Sequence, residues 1–338
     1  MKNSKVLLIA LLLIGAMALV ACGGQVQEAV QEAAPTAAAA VEEAVESDAQ
    51  EAAETAEEAM PEEAMGEGSI AVLLPDSASS ARWEADDRRY FEQCFTDAGV
   101  DYSIVNAEGD ARVQQTQAEA AITAGAKVLL LVNLDSGSGA AIIDQAREAG
   151  LKVIDYDRLT VEGPGADVYI SFDNVAVGRL MGETLEPVID DLGLETPQVV
   201  QLNGAPTDNN ATLFREGYYS IVEPRVAAGD WALVADEAVP DWDNQQALVM
   251  FEQILTGADG NIDAVFAAND GLAGSVIPLL KSQGFDPVPV SGQDATVTGM
   301  QYILSGDQTM SVYKPIKLRL MPPARLQSLC TMVTMSRP

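Results

Sequence analysis

No histidine occurs anywhere in this chain of 338 residues, and cysteine appears only at Cys22, Cys94 and Cys330. Without histidine the protein lacks the commonest metal ligand and general base, which removes most zinc and hydrolase schemes. Basic residues are also scarce: 19 Lys and Arg stand against 51 Asp and Glu, a formal charge of −32. Such an excess argues against nucleic acid or anionic lipid as a partner. Between residues 25 and 68 there is no Lys or Arg at all, and after Asp307 there is no acid.

What the chain does contain begins with a targeting segment. Lys2 and Lys5 form a charged start, Val6 to Leu19 an apolar run too short for an ordinary membrane span, and Leu19-Val20-Ala21-Cys22 a small-residue cleavage site. Residues 1–21 therefore read as a signal peptide. The cysteine at the cut, followed by Gly23-Gly24, resembles the bacterial lipobox, which implies that Cys22 is lipidated and anchors the protein to a membrane. Residues 22–68, rich in Ala and Glu, cannot bury enough apolar surface to offset their ordering entropy. Pro35 and Pro61 interrupt any long helix there. That segment reads as an acidic spacer between anchor and domain.

From Ser69 strands and helices alternate. Ile70 to Leu74, Tyr102 to Val105 and Lys127 to Val132 are strand-like. Helical patterns lie at Arg82 to Ala98, Ala111 to Ala124 and Gly139 to Ala149, each closed by a glycine. Cys94, beside Phe91 and Phe95 in the first helix, reads as a buried thiol. Two further runs, Lys152 to Arg158 and Val168 to Phe172, lead to Asp173-Asn174 at the candidate junction between lobes. The scheme then repeats, with strands expected at Gln198 to Leu202, Ala232 to Ala235, Ile262 to Ala267 and Val288 to Ser291. Helices are expected at Ala211 to Val226, Asn244 to Thr256 and Leu272 to Gln283. The expected fold is α/β, two similar doubly wound parallel-sheet lobes joined by a hinge. The N-terminal lobe spans 69–174, with 315–338 returning to it, and the C-terminal lobe spans 175–314.

Polar residues cluster just past the expected strands, where open α/β sheets bind ligands. They are Arg82, Asp157, Arg158, Asp208, Asn210, Asn269, Asp294 and Lys314, accompanied by Trp83 and Trp242 in loop-like positions. A sugar needs this mixture, because each hydroxyl both donates and accepts while the C–H face of the ring packs on an aromatic plane. The competing explanation is that Asp and Asn at strand ends simply cap helices. Asp86, Asp87, Arg88 and Arg89 read as a solvated helix face.

At these residues the sequence resembles the periplasmic D-xylose-binding proteins, sugar receptors of ABC importers in the ribose/galactose-binding superfamily. The resembling pieces include Ala81-Arg82-Trp83-Glu84, Ile154-Asp155-Tyr156-Asp157-Arg158, Pro206-Thr207-Asp208-Asn209-Asn210 and Asp241-Trp242. Tyr169-Ile170-Ser171-Phe172-Asp173-Asn174, Ala268-Asn269-Asp270, Ser291-Gly292-Gln293-Asp294 and Thr309-Met310-Ser311-Val312-Tyr313-Lys314-Pro315 complete them. The resemblance runs from about Ile70 to Lys317 and implies a periplasmic binding protein type I fold. It also implies that the eight polar residues hydrogen-bond a monosaccharide, with D-xylose foremost, while Trp83 and Trp242 wall it. The lobes would close by a hinge whose crossings lie near Asn174 and Lys314, with a third further on. An ABC permease follows as partner, an extracytoplasmic, lipid-anchored monomer as the working form, and neither cofactor nor metal. Against that pattern the stretch after Trp83 is one residue longer and carries Ala85 where a Lys often stands. The rival sugars are glucose, galactose and arabinose, bound for chemotaxis or sensing. A two-carboxylate glycosidase using Asp157 and Asp294 is the enzymatic rival, disfavoured because the motifs present are receptor motifs.

The tail departs from the resemblance after Lys317. Pro322-Pro323 interrupts the acid-rich helix that the family pattern calls for. With permitted codons, Leu318 to Pro338 back-translates to a message whose shifted frame begins Glu-Ala-Asp-Ala-Ala-Arg-Ala-Ala-Ala, an amphipathic helix. The expectation is a frameshift near Lys317.

Overall fold

A computed structural model describes residues 69–317 of the chain. The signal peptide, Cys22, the acidic spacer and the tail after Lys317 lie outside the described residues.

Ile70–Leu74 (β1) is apolar at every position and buried on both faces, as an interior parallel strand requires. Around it lie Tyr102–Asn106 (β2), Val128–Leu131 (β3), Lys152–Tyr156 (β4) and Val168–Ile170 (β5), in the order β2-β1-β3-β4-β5, every pair parallel. Arg89–Ala98 (α1), Ala111–Thr123 (α2) and Ser136–Glu148 (α3) connect them. The chain then enters a long helix, Asn174–Asp190 (α4), and builds a second parallel sheet. Its strands are Gln198–Asn203 (β6), Ala232–Ala238 (β7) and Ala264–Ala267 (β8), in the order β7-β6-β8. Asn209–Ala228 (α5), Asn244–Gly257 (α6), Asp270–Ser282 (α7) and Val297–Ser305 (α8) surround it. Each sheet has its own apolar core: Val72, Leu130 and Ile154 lie in one, Leu202, Phe266 and Ile277 in the other. Ile316, at the end of the described chain, packs into the core of the first sheet. This is the periplasmic binding protein type I architecture, two sheet-and-helix lobes of one plan.

Four expectations need correction. The helix α3 begins three residues earlier than expected, because Asp135 accepts from the Ser138 N–H and caps it ahead of the small residues Ser136 to Gly139. The sequence reading assigns no helix at Asn174–Asp190, where the structure has one whose glycines allow close approach to α5. A Cβ on Gly178 would lie 2.0 Å from the Phe214 carbonyl oxygen of α5, and one on Gly217 would lie 2.3 Å from that of Val175. The expected strand Val288 to Ser291 is reduced to a single bridge between Val290 and Val265. Finally, the segment Asp86 to Arg89 is not a uniformly solvated face, since Asp87 is fully buried. Cys94 is buried, as expected.

Candidate functional site

All ten candidate residues line one cavity, at the carboxyl ends of the strands of both sheets. Four come from the first lobe: Arg82 and Trp83 follow β1, and Asp157 and Arg158 follow β4. The rest come from the second: Asp208 and Asn210 open α5, Trp242 sits in the turn after β7, and Asn269 caps α7. Asp294 and Lys314 complete the ring, beside the bridge that joins Gln293 to Val312.

Three buried ion pairs organise this ring. Arg82 Nη2 meets Asp157 Oδ2 at 2.7 Å, Arg158 Nε meets Asp208 Oδ2 at 3.1 Å, and Lys314 Nζ meets Asp294 Oδ1 at 2.8 Å. Burial disfavours the Asp294 carboxylate, but Lys314 and Arg82 outweigh that effect and hold its pKa below the ordinary range. At Arg82 burial also opposes the charge; Asp157 and Asp87 overcome it and raise the guanidinium above its usual value.

Two residues cap a helix with one side-chain atom and reach into the cleft with the other. Asp208 accepts the Asn210 backbone N–H on Oδ1 at 2.9 Å, while Oδ2 accepts from Trp242 Nε1 at 3.1 Å and faces Arg158. Asn269 accepts the Leu272 N–H on Oδ1 at 2.8 Å, and its Nδ2 donates to the Ser79 carbonyl of the other lobe at 3.1 Å. A helix cap uses one side-chain atom and leaves the other for the cleft.

The backbone is strained at this site. Asp157, Trp242 and Asp294 have φ of 67°, 56° and 92°, a region costly for residues with a Cβ. Asp157 is held there through its carbonyl, which accepts from Ser171 Oγ at 2.8 Å, Asn210 Nδ2 at 3.1 Å and Tyr169 OH at 3.2 Å. Asn210 Nδ2 also donates to Asp157 Oδ1 at 3.0 Å, so this residue of the second lobe grips Asp157 twice.

The Arg82 guanidinium lies over the Trp83 ring at 4.1 Å, and Lys314 Nζ lies 5.5 Å from the Phe214 ring centre. Room for water-sized groups is about 30 Å³, enough for two or three waters. In this arrangement the lobes are shut on each other.

The cavity is also lined by Ser79, Ser80, Phe214 and Gln293, which the sequence reading did not select. Ser80 donates to Asp294 Oδ2 at 3.0 Å across the cleft. Gln293 Oε1 is buried and has no hydrogen-bond partner among the described residues, while its Nε2 donates to the Ala268 carbonyl. Gln293 stands next to Asp294 in Ser291-Gly292-Gln293-Asp294, an adjacency that points to it. For the serines and Phe214 there was no such signal.

A family model described as periplasmic binding protein domain matches residues 70–318. The chain belongs to this family. Its members here are binding receptors and not enzymes. The chain is 36% identical over 246 residues to the D-xylose-binding periplasmic protein of Escherichia coli strain K12, covering 72% of each. With a multiple sugar-binding periplasmic receptor of Rhizobium radiobacter it shares 30% identity over 272 residues, 75% of each. A solved solute-binding protein of Clostridium phytofermentans with bound β-D-glucose superposes with a TM-score of 0.69 at 28% identity, covering 75% of this chain and 81% of that one.

Proposed function

We propose that this protein is an extracytoplasmic receptor that captures a monosaccharide, D-xylose foremost, and delivers it to an ABC import permease. The observation that carries this reading is the ring of three acid–base pairs flanked by Trp83 and Trp242 at the meeting of the two sheets. Charged donors and acceptors around an apolar wall suit a polyhydroxylated ring and give little hold to an apolar ligand. Arg82, Asp157, Arg158, Asp208, Asn210, Asn269, Asp294 and Lys314 supply the hydrogen bonds, and the two tryptophans the walls. The lobes, 69–174 with the returning 315–317 and 175–314, part at the crossings near Asn174 and Lys314 to admit the sugar. The identity to D-xylose-binding proteins supports the pentose. Residues 1–21 serve as a signal peptide, Cys22 carries the lipid anchor, and the acidic segment up to residue 68 spaces the receptor from the membrane, where it works as a monomer.

Calorimetric titration of the protein with D-xylose, D-glucose, D-galactose and L-arabinose tests the reading. D-xylose is expected to bind most tightly. Tighter binding of another aldose replaces the ligand, as the glucose-bound relative would favour. Heat from none of the four overturns the sugar reading itself.

A further inference from the structure

Asp87 follows Arg82 by five residues, and a regular α-helix would set the two about 140° apart around its axis. Between them the chain forms a π turn, Trp83–Arg88, whose i to i+5 pattern brings such a pair onto one face. Arg82 Nε accordingly meets Asp87 Oδ2 at 3.0 Å, and the Tyr156 hydroxyl donates to Asp87 Oδ1 at 2.6 Å from the end of β4. Asp87 is fully buried beneath the site and does not line the cavity. The π turn thus keeps an acid under Arg82.

The geometry points to Asp87 as a positioning residue for ligand binding, acting through Arg82; the binding role rests on the sugar reading above. Arg82 is a long, flexible side chain with five N–H donors. Asp87 takes Nε and Asp157 takes Nη2, fixing the guanidinium plane from two sides. Asp87 also supplies a second negative charge, so the single Arg82 charge does not cancel that of Asp157. Asp157 can then keep accepting from a ligand hydroxyl while paired.

The test has two parts. In the ligand-free protein, the Arg82 Nε–H gives a slowly exchanging, downfield side-chain NMR signal when held by a buried carboxylate. This signal is expected in the native protein, retained with a shift in Asp87→Asn, and lost in Asp87→Ala. For binding, Asp87→Ala is expected to weaken D-xylose affinity about tenfold, the scale of one charge-assisted contact. Asp87→Asn, which keeps an acceptor oxygen, is expected to recover part of that loss. In an Arg82→Ala background, Asp87→Ala is expected to cause no further loss of affinity, whatever it does to the melting temperature. An Arg82 signal unchanged by Asp87→Ala overturns the proposal, as does an equal loss of affinity in both backgrounds. If the native protein binds no sugar, the receptor reading falls, while the Arg82 signal still decides whether Asp87 positions it.

Discussion

Arg158 of the first lobe and Asp208 of the second form a buried ion pair across the cleft, Nε to Oδ2 at 3.1 Å. Trp242 Nε1 donates to the same oxygen, so one carboxylate joins a cation from one lobe to an aromatic wall from the other. Tertiary contact between the lobes is what brings this pair together, since nothing in local chain geometry relates residues fifty apart.

Removing one partner of a buried charge pair costs about 2–5 kcal/mol, much of it the penalty of the stranded charge. Asp208→Ala is therefore expected to weaken sugar binding at least about thirtyfold. The double variant Arg158→Ala, Asp208→Ala is expected to lose less than the sum of the single changes. Additive losses in titration calorimetry would show that the pair does not act as a unit.

The lowered pKa of Asp294 sets a pH dependence. A carboxyl whose folded pKa lies below its unfolded value of 3.8 adds stability above that value and loses it as pH falls through the folded one. Its share is thus constant near neutrality and disappears in the acid limb below about pH 4. Asp270 and Asp155, raised by burial, work in the opposite sense and soften that limb. Asp294→Asn strands the Lys314 charge and is expected to cost about 3–5 kcal/mol at pH 7, with a flatter acid limb. Thermal melts from pH 3 to 8 check both; equal acid slopes in the two proteins would refute the assignment.

Gly204 lies against the tryptophan wall. A Cβ there would come within 2.1 Å of Trp242 Cη2, a distance no packed pair sustains. Trp242 is buried, and its Nε1 is tied to Asp208, so the rigid ring has little freedom to yield. Gly204→Ala is expected to displace Trp242 and reduce sugar affinity about tenfold or more, with a change in intrinsic tryptophan fluorescence. Unaltered affinity and emission would mean the wall adjusts freely.

The anchor prediction rests on the sequence Leu19-Val20-Ala21-Cys22. Cys22→Ser is expected to move the receptor from the membrane to the soluble fraction with its sugar affinity intact. Membrane association that survives the change would remove Cys22 as the lipid site.

The sequence by itself determined the alternation of strands and helices, because apolar runs such as Ile70–Leu74 must be buried on both faces and the intervening polar segments carry their own caps. It also determined which polar residues stand at strand ends, and hence the candidate ring. What only tertiary structure decided depends on partners distant in the chain. Asn174–Asp190 is a helix because Gly178 and Gly182 let it pack closely on α5, a use of glycine that local propensity counts against. Asp87 turns inward because the six-residue π turn Trp83–Arg88 aims it at Arg82, with Tyr156 arriving from another strand; read along one helix, it looks solvated. The division of Asp208 and Asn269 between cap and cleft was equally hidden, since sequence gives a residue one position while each of its two polar atoms finds a separate neighbour in space.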